Sequence, residues 1–261
     1  MVPTRDSMRT LAACLESIRA QDVPVELVVV DNDSTDGTYE LAGRLADMAV
    51  RGGPERSAQR NIGVRLTATD WVLWIDSDMV LPPETVSAAL ATARFEQADA
   101  VAIPEVSVGP GFWTACRALE RACYVDDPSL HNPRLLRREL LLGDAEFDPA
   151  MAGPEDTDLR LRLRRSGTRT ALCPDVFIVH DEGRLTLRSV LTKRVYYGRS
   201  LPAFAAKNPG ALAGQGAGTL QALIRHRRML ARHPVRTGGM LLMRALEAAA
   251  YVVGYQLGRR R

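Results

Sequence analysis

Asp76 and Asp78 flank a single serine, and two carboxylates at that spacing can turn toward one hard cation, which can in turn hold phosphate oxygens. With 18 aspartates among 261 residues, about one such triplet is expected by chance, so the neighbouring residues decide what the spacing means. Before it runs Trp71-Val72-Leu73-Trp74-Ile75, an apolar stretch of strand length. After it, Met79-Val80-Leu81-Pro82-Pro83-Glu84 reads as a loop and then a helix opened by proline. The pair is thereby placed at the carboxyl end of a buried strand, where open α/β sheets bind their ligands. The competing reading is a solvated acidic turn. A second run, Val28-Val29-Val30-Asp31-Asn32-Asp33-Ser34-Thr35-Asp36-Gly37-Thr38, brings Asp31 to a strand end in the same way. There its carboxylate can accept a hydrogen bond from a base N–H. Capping of the next helix by Ser34, Thr35 or Asp36 is compatible with that. A calcium loop of the EF-hand type fails, because Gly37 falls one place late and Ala42 stands where glutamate is needed.

Elements must carry these edges. Residues 11–20 place Leu11, Leu15 and Ile18 at helical spacing, and residues 25–30 form the near-continuous apolar run of a parallel strand covered on both faces. Residues 38–48, 57–67 and 85–95 read as helices, and 71–75 and 100–106 as strands. This β-α-β-α-β order predicts a mostly parallel, Rossmann-like sheet with right-handed crossovers. Residues 112–124 and the highly charged 155–165 read as helices, the latter closed by Ser166-Gly167. Residues 176–179 form a short strand that ends at His180. The glycine-rich stretch 210–218 reads as a flexible linker. Residues 238–258 are largely apolar, but Arg244, Glu247 and Gln256 interrupt them, which is poor for a spanning helix. Two readings suit that segment: an interfacial helix flanked by Arg259, Arg260 and Arg261, or a helix packed on the body.

The length fits one large domain, or one domain with a tail. Cys14, Cys116, Cys123 and Cys173 show no metal or disulfide spacing, which points to a reducing compartment. The amino-terminal residues lack the apolar core of a signal peptide. The net charge of +3 hides a division: from Arg184 onward 15 basic residues face one acid, Glu247, for +14, against −11 over residues 1–183. Such a basic third predicts an anionic partner, either a membrane surface or a phosphorylated acceptor. Nucleic acid ranks lower, since neither zinc-finger spacing nor an RNP-like aromatic pattern is present.

Four motifs in order make the chain resemble a known family. VVVDNDSTDGT, then Arg60-Asn61-Ile62-Gly63, then WIDSDM, then Gly153-Pro154-Glu155-Asp156-Thr157-Asp158-Leu159 are similar to family 2 glycosyltransferases of the GT-A fold, over about residues 3–180. Pro3-Thr4-Arg5-Asp6 resembles the family's first nucleotide loop, with aspartate in place of asparagine. His180-Asp181-Glu182-Gly183 and Lys193 to Ser200 resemble one bacterial branch. In the family a strand precedes the proline-threonine motif; here only Met1 and Val2 stand before Pro3, so either the start is assigned late or the strand is cut short, and both alternatives bear on the pocket edge at Thr4.

The resemblance implies a role for each position. Pro3, Thr4, Asp31 and Asp33 would line the nucleoside, Arg60 would lie near the base or phosphates, and Asp76 would take ribose or metal. Asp78, with His180 as a further metal or phosphate contact, would hold Mg²⁺ or Mn²⁺ on the diphosphate. Asp156 would be the general base, with Glu155 shaping the acceptor site. The bland readings are a solvated helix charge paired with Arg160 for Asp156, a structural histidine for His180 and a surface charge for Arg60. The chemistry suits the residue types: a cation neutralises charge on a diphosphate leaving group, and inverting transfer needs one carboxylate base. The expectation is therefore a GT-A catalytic domain over residues 1–205, with a nucleotide-binding half at 1–108 and an acceptor half at 109–205. A basic helical extension covers 206–261. The expected donor is a nucleotide-diphospho sugar, with UDP favoured, and the acceptor is a hydroxyl, a polyprenyl-linked one included. The expected location is cytoplasmic, extending to the inner face of the plasma membrane. A sugar-phosphate nucleotidyltransferase would normally show a glycine-rich, lysine-containing loop near the start, and none is present. An inactive membrane-bound scaffold fits poorly with Asp76, Asp78 and Asp156 all in place.

Overall fold

Val28, Val29 and Val30 are all fully buried, and successive residues of a strand face opposite ways, so both faces of this strand must be covered. The computed structural model, which describes residues 1–143 and 145–259, shows how. In chain order come β1 (Val2–Thr4), α1 (Leu11–Arg19), β2 (Val28–Asp31), α2 (Thr38–Leu45), β3 (Met48–Arg51) and α3 (Arg56–Leu66). The strands pair in parallel in the order β1-β2-β3, with Thr4 beside Asp31. Leu27 and Val29 share one cluster with Leu11, Leu15 and Ile18 of α1. Val28 and Val30 share another with Val64 of α3 and with Leu159 and Leu163.

The chain continues through β4 (Trp71–Leu73), β5 (Met79–Val80), α4 (Thr85–Phe95), β6 (Ala100–Ala102), β7 (Glu105–Val108) and α5 (Phe112–Ala122). Then follow β8 (Pro133–Arg137), α6 (Arg138–Leu141), α7 (Glu155–Arg165), β9 (Thr170–Leu172) and β10 (Ile178–Asp181). β8 pairs antiparallel with β4 and β6, and β9 pairs parallel with β6. The Met1 amino group donates to the Leu73 carbonyl, and Ile75 N–H donates to the Met1 carbonyl, so β1 also lies along the end of β4. β10 pairs antiparallel with β5, setting His180 opposite Met79. These parts form one compact unit, made of Met1–Glu105, Asn132–Pro149 and Leu159–Asp181.

Several expectations are corrected. Helix α2 ends at Leu45, and Met48 opens β3 instead of closing the helix. β3 is a half-exposed strand, so it lacks the apolar run that would have announced it. The mostly parallel architecture stands as expected, with β8 entering in the opposite sense between β4 and β6. The β8 sequence mixes arginine with leucine and reads as neither a clean strand nor a clean helix. Gly167, at φ +74, follows the end of α7 as expected.

The second unit comprises Val106–His131, Ala150–Asp158 and the chain from Glu182 onward. It holds α5, the first turn of α7, α8 (Leu187–Gly198), α9 (Leu201–Lys207), α10 (Ala211–Arg225), α11 (Arg227–Ala231) and α12 (Pro234–Gly258). Cys116 and Leu119 of α5, and Cys123 just after it, pack with Val190 of α8 and with Met240 and Met243 of α12. Gly198 and Gly254 let α8 and α12 approach so closely that a Cβ on either would collide with the other helix. An ion network is buried here. Glu247 pairs with Arg117 and, at 2.6 Å, with Arg194; Glu120 pairs with Arg117 at 2.8 Å and with Arg244. Tyr124 donates to Glu120 at 2.6 Å. Buried charges persist only when each has partners of this kind.

Residues 211–225 are helical, which corrects the linker expected at 210–218. Positive φ is confined to Gly210 at the amino end, and the alanines and leucines that follow favour helix strongly enough to carry the remaining glycines. The Arg225–Asp127 pair, at 3.5 Å, ties α10 to the rest of its unit. The four cysteines are unpaired and buried. Among the described residues, no helix is long and apolar enough to cross a membrane. Arg260 and Arg261, expected to flank the last helix, lie outside the described residues.

Candidate active site

In the first unit, β4 ends at Leu73, short of the strand expected over 71–75, and β5 begins at Met79, so Asp76-Ser77-Asp78 lies in the connection between them, three residues beyond β4. Arg60, projected from α3, is fully buried and donates to Asp76 Oδ1 at 2.8 Å. Its guanidinium lies 4.0 Å from the Trp74 ring centroid and 5.0 Å from that of Phe147, which satisfies the charge where water cannot reach. Arg134 of β8 approaches the other oxygen of Asp76 at 3.8 Å and donates through Nε to Glu105 at 2.7 Å. Burial opposes ionisation of Asp76, but the guanidinium groups of Arg60, Arg134 and Arg56 outweigh it and hold the carboxyl well below the usual range. Arg60 is thus a buried partner of Asp76 and not a surface charge.

His180, at the end of β10, carries this line of charge to Asp78. Its Nε2 lies 3.2 Å from Asp78 Oδ2, and its Nδ1 lies 3.6 Å from Glu105 Oε2. The Asp78 side chain is 36% exposed, so a ligand can reach it; that of Asp76 is 17% exposed and largely engaged. The same turn is pinned by Ser77, which donates to Ser7 at 2.9 Å.

Thr4 and Asp31 stand side by side at the ends of β1 and β2. Both are buried, and the Thr4 hydroxyl has no hydrogen-bond partner among the described residues. Asp31 accepts from Ser34 N–H at 2.9 Å and from the Ser34 hydroxyl at 2.5 Å, which leaves acceptor capacity on a carboxylate with about four lone-pair sites. Asp33 is exposed and takes φ +48, and Asp6 takes φ +46, a left-handed conformation that aspartate tolerates better than most residues. Asp6 accepts from Thr35 N–H at 2.9 Å, and Asp6 N–H donates to Ser34 at 2.8 Å, tying the loop after Pro3-Thr4 to the loop after Asp31. Asp36 receives Thr38 N–H, while the cap residue of α2 is Gly37.

Glu155 and Asp156 belong to the second unit and open α7, whose first turn is acidic and last turn basic, as the helix dipole favours. Glu155 is buried and turns back to accept Gly153 N–H; Asp156 is half-buried. Gly153, at φ +105, lies against Tyr197 of α8, and Ala152 N–H donates to Ser200 at 3.2 Å. Asp158 is fully buried and receives Asn208 at 2.9 Å and Lys207 at 3.1 Å. The start of α7 is therefore held from both sides by the segment from Tyr197 to Asn208.

Glu105 and Arg134 were not singled out in the sequence. No local pattern marks them, because each acquires its partner only when distant elements meet. Among the described residues, no three histidine, cysteine, aspartate or glutamate side chains converge as a ready metal cage. The donor set at Asp78 and His180 nonetheless fits a divalent cation that takes few protein ligands and completes its shell with substrate phosphates.

The sequence pattern of the family described as glycosyl transferase family 2 matches residues 1–193. A pre-mycofactocin glycosyltransferase of Mycobacterium tuberculosis is 24% identical over 246 residues, covering 80% of this chain and 47% of the relative. The poly(ribitol-phosphate) beta-N-acetylglucosaminyltransferase TarS of Staphylococcus aureus is 30% identical over 115 residues, covering 40% of this chain and 20% of the relative. The chain thus spans less than half the length of these curated relatives. Among solved structures, the mannosyltransferase PcManGT from Pyrobaculum calidifontis, in complex with GDP-Man and Mn²⁺, aligns with TM-score 0.66 at 20% identity over 97% of this chain and 85% of that one. TarS residues 1–349 in complex with UDP-GlcNAc align with TM-score 0.57 at 17% identity over 99% and 90% of the two chains. At these identities the likeness is one of fold, and it bears out the GT-A architecture expected above.

Proposed function

Because this chain belongs to glycosyl transferase family 2, we propose that it moves a sugar from a nucleotide-diphospho sugar to a hydroxyl acceptor, with inversion at the anomeric carbon. The observation that carries this reading is the meeting of Asp78 and His180, 3.2 Å apart, next to an Asp76 neutralised by two arginines. Pro3, Thr4, Asp31 and Asp33 line the nucleoside, and the unpartnered Thr4 hydroxyl is a buried polar group that a ligand would satisfy. Asp76, already holding Arg60 and Arg134, offers its remaining lone pairs to the ribose. Asp78 and His180 would hold Mg²⁺ or Mn²⁺, which when bound neutralises charge on the departing diphosphate. Asp156 takes the proton of the acceptor hydroxyl as its oxygen bonds to the anomeric carbon and the bond to the diphosphate breaks. Glu155 holds the backbone beside it. A single base suffices, unlike the two carboxylates of a glycosidase. The catalytic residues then lie within 1–205, and residues 206–261 form a basic helical extension.

UDP-sugars are the favoured donors, since TarS was solved with UDP-GlcNAc, and GDP-mannose is the competitor because PcManGT was solved with it. The acceptor is a hydroxyl of an envelope or natural-product glycan, lipid-linked ones included. The test is calorimetry of UDP and GDP with and without Mn²⁺, on the native chain and on Asp78→Asn. Metal-dependent affinity that the variant loses supports the reading. Equal affinity in the variant removes Asp78 from the metal site, and no nucleotide affinity at all in the native chain overturns the activity.

A further inference from the structure

Arg244 and Glu247 interrupt the apolar run of α12 in sequence, but in the fold both turn inward, Arg244 to Glu120 and Glu247 to Arg117 and Arg194. What the helix turns outward is of another kind. Val235, Leu241, Leu242, Val252, Val253 and Leu257 are all exposed, Val235 by 74% and Val252 by 60%. Ala245, Ala248 and Ala249 fill the interval, and the steps of three and four keep these positions on one face. Between Gly238 and Leu257 the charged positions of α12 are Glu247, which is buried, and Arg244, whose side chain is 35% exposed and pairs with the buried Glu120. At 1.5 Å per residue the uncharged stripe is about 30 Å long. A helix packed on a water-soluble body normally hides its apolar face and shows its charges; α12 does the reverse.

The surroundings of the stripe indicate what covers it. Arg232 and Arg236 are exposed near one end of α12, and Arg259 at the other. Arg225, Arg227 and Arg228 are exposed just before it. The one acid after Arg184 is Glu247, which is buried; Asp126 and Asp127 sit beside His226 and Arg225, and Arg232, Arg236 and Arg259 carry positive charge at the two ends of the stripe. A second copy of the chain is a poor partner. Antiparallel apposition would set Arg232 and Arg236 against Arg259 of the other copy, and parallel apposition would set each arginine near its own duplicate, with like charges repelling in both cases. We propose that α12 lies flat on an anionic lipid surface, with the apolar stripe in the acyl boundary and the arginines among the headgroups. This inference is independent of the sugar-transfer reading, because it uses none of the residues assigned to that site.

The experiment is co-sedimentation of the full chain with vesicles of phosphatidylcholine alone or mixed with phosphatidylglycerol, at low and high salt. The full chain should pellet with the anionic vesicles at low salt, and about tenfold less with neutral ones or when salt screens the arginines. The L241E/V252E variant changes two exposed positions, so it should melt like the native chain and yet fall to the neutral-vesicle level. Should that variant misfold, L242W provides a second readout: its added emission should shift to the blue with anionic vesicles and be quenched by brominated lipid. A native chain that stays in the supernatant overturns the proposal. So does an L241E/V252E variant that binds undiminished, or an L242W emission that vesicles leave unchanged. A native dimer that L241E/V252E dissociates, with no vesicle capture, assigns the face to a second copy instead.

Discussion

Arg60 shows how much one side chain's surroundings decide. Fully buried, stacked on Trp74 and Phe147 and bonded to Asp76, it fixes the ionisation of the first aspartate of the D-x-D pair and leaves the second, Asp78, as the accessible carboxylate. The division of labour between the two aspartates thus follows from their guanidinium neighbours. Asp156 is the residue on which the proposed chemistry turns. Asp156→Asn should lower turnover by roughly 10²–10⁴-fold, the usual cost of a lost general base. Nucleotide-diphosphate affinity should be nearly kept, since the residue is given no part in donor binding. Single-turnover kinetics together with calorimetry would separate the two quantities; near-native turnover would move the base elsewhere.

At the scale of elements, α8 and α9 determine where α7 begins. Tyr197 fills the space against Gly153, Ser200 receives the Ala152 amide, Lys207 neutralises buried Asp158, and Asn208 donates to it. A Cβ at Gly153 would stand 2.5 Å from Cβ and Cγ of Tyr197, and φ +105 is itself unfavourable for alanine. Gly153→Ala is therefore expected to cost about 1–3 kcal/mol of stability and to lower turnover more than donor affinity. A variant with native melting temperature and native turnover would show that the loop tolerates displacement. Helix α12 offers a pH-dependent counterpart. Burial opposes ionisation of Glu247, yet Arg117 and Arg194 prevail and depress its pKa below the usual glutamate value. A depressed carboxylate contributes stability that is complete above its unfolded pKa, about 4.3, and is lost as pH falls through the folded value. Glu247→Gln should thus melt well below the native chain at neutral pH, and the gap should narrow in acid. A gap independent of pH would mean that packing, not charge, accounts for the residue.

At the scale of the whole chain, an acidic body and a basic carboxyl third are distributed differently from the way they read along the sequence. The only acid of that third is buried, and α12 contributes both Met240 and Met243 to the core of its unit. Residues 234–259 are thus part of the second unit's fold. Ending the chain at His233 would leave Arg117 and Arg194 without Glu247, and Glu120 without Arg244. Losing one partner of a buried ion pair typically costs about 3–5 kcal/mol. Circular dichroism of the shortened chain should show a lower, broader melting transition, whereas an unchanged transition would make α12 an appendage.

The sequence by itself determined the strand ends that carry chemistry. Apolar runs placed Asp31 at the end of β2, Asp76 in the connection just beyond β4 and His180 near the end of β10, and a charged stretch placed Glu155 and Asp156 at the start of α7. These readings hold because burial of a strand and the acidic opening of a helix are written in adjacent residues. β3 and β8 escaped, since a half-exposed edge strand and an arginine-leucine strand have no comparable local signature. The helix at 211–225 escaped because glycine content masked the alanine and leucine propensity around it. Only the tertiary structure decided that Glu105 and Arg134 join Asp76 to His180, and that Arg244 and Glu247 face inward while α12 shows an apolar stripe. A helical period says which residues share a face, but the partner that covers the face comes from elements far away in the chain. For that reason the same charges that break the apolar pattern in sequence complete a buried ion network in the fold.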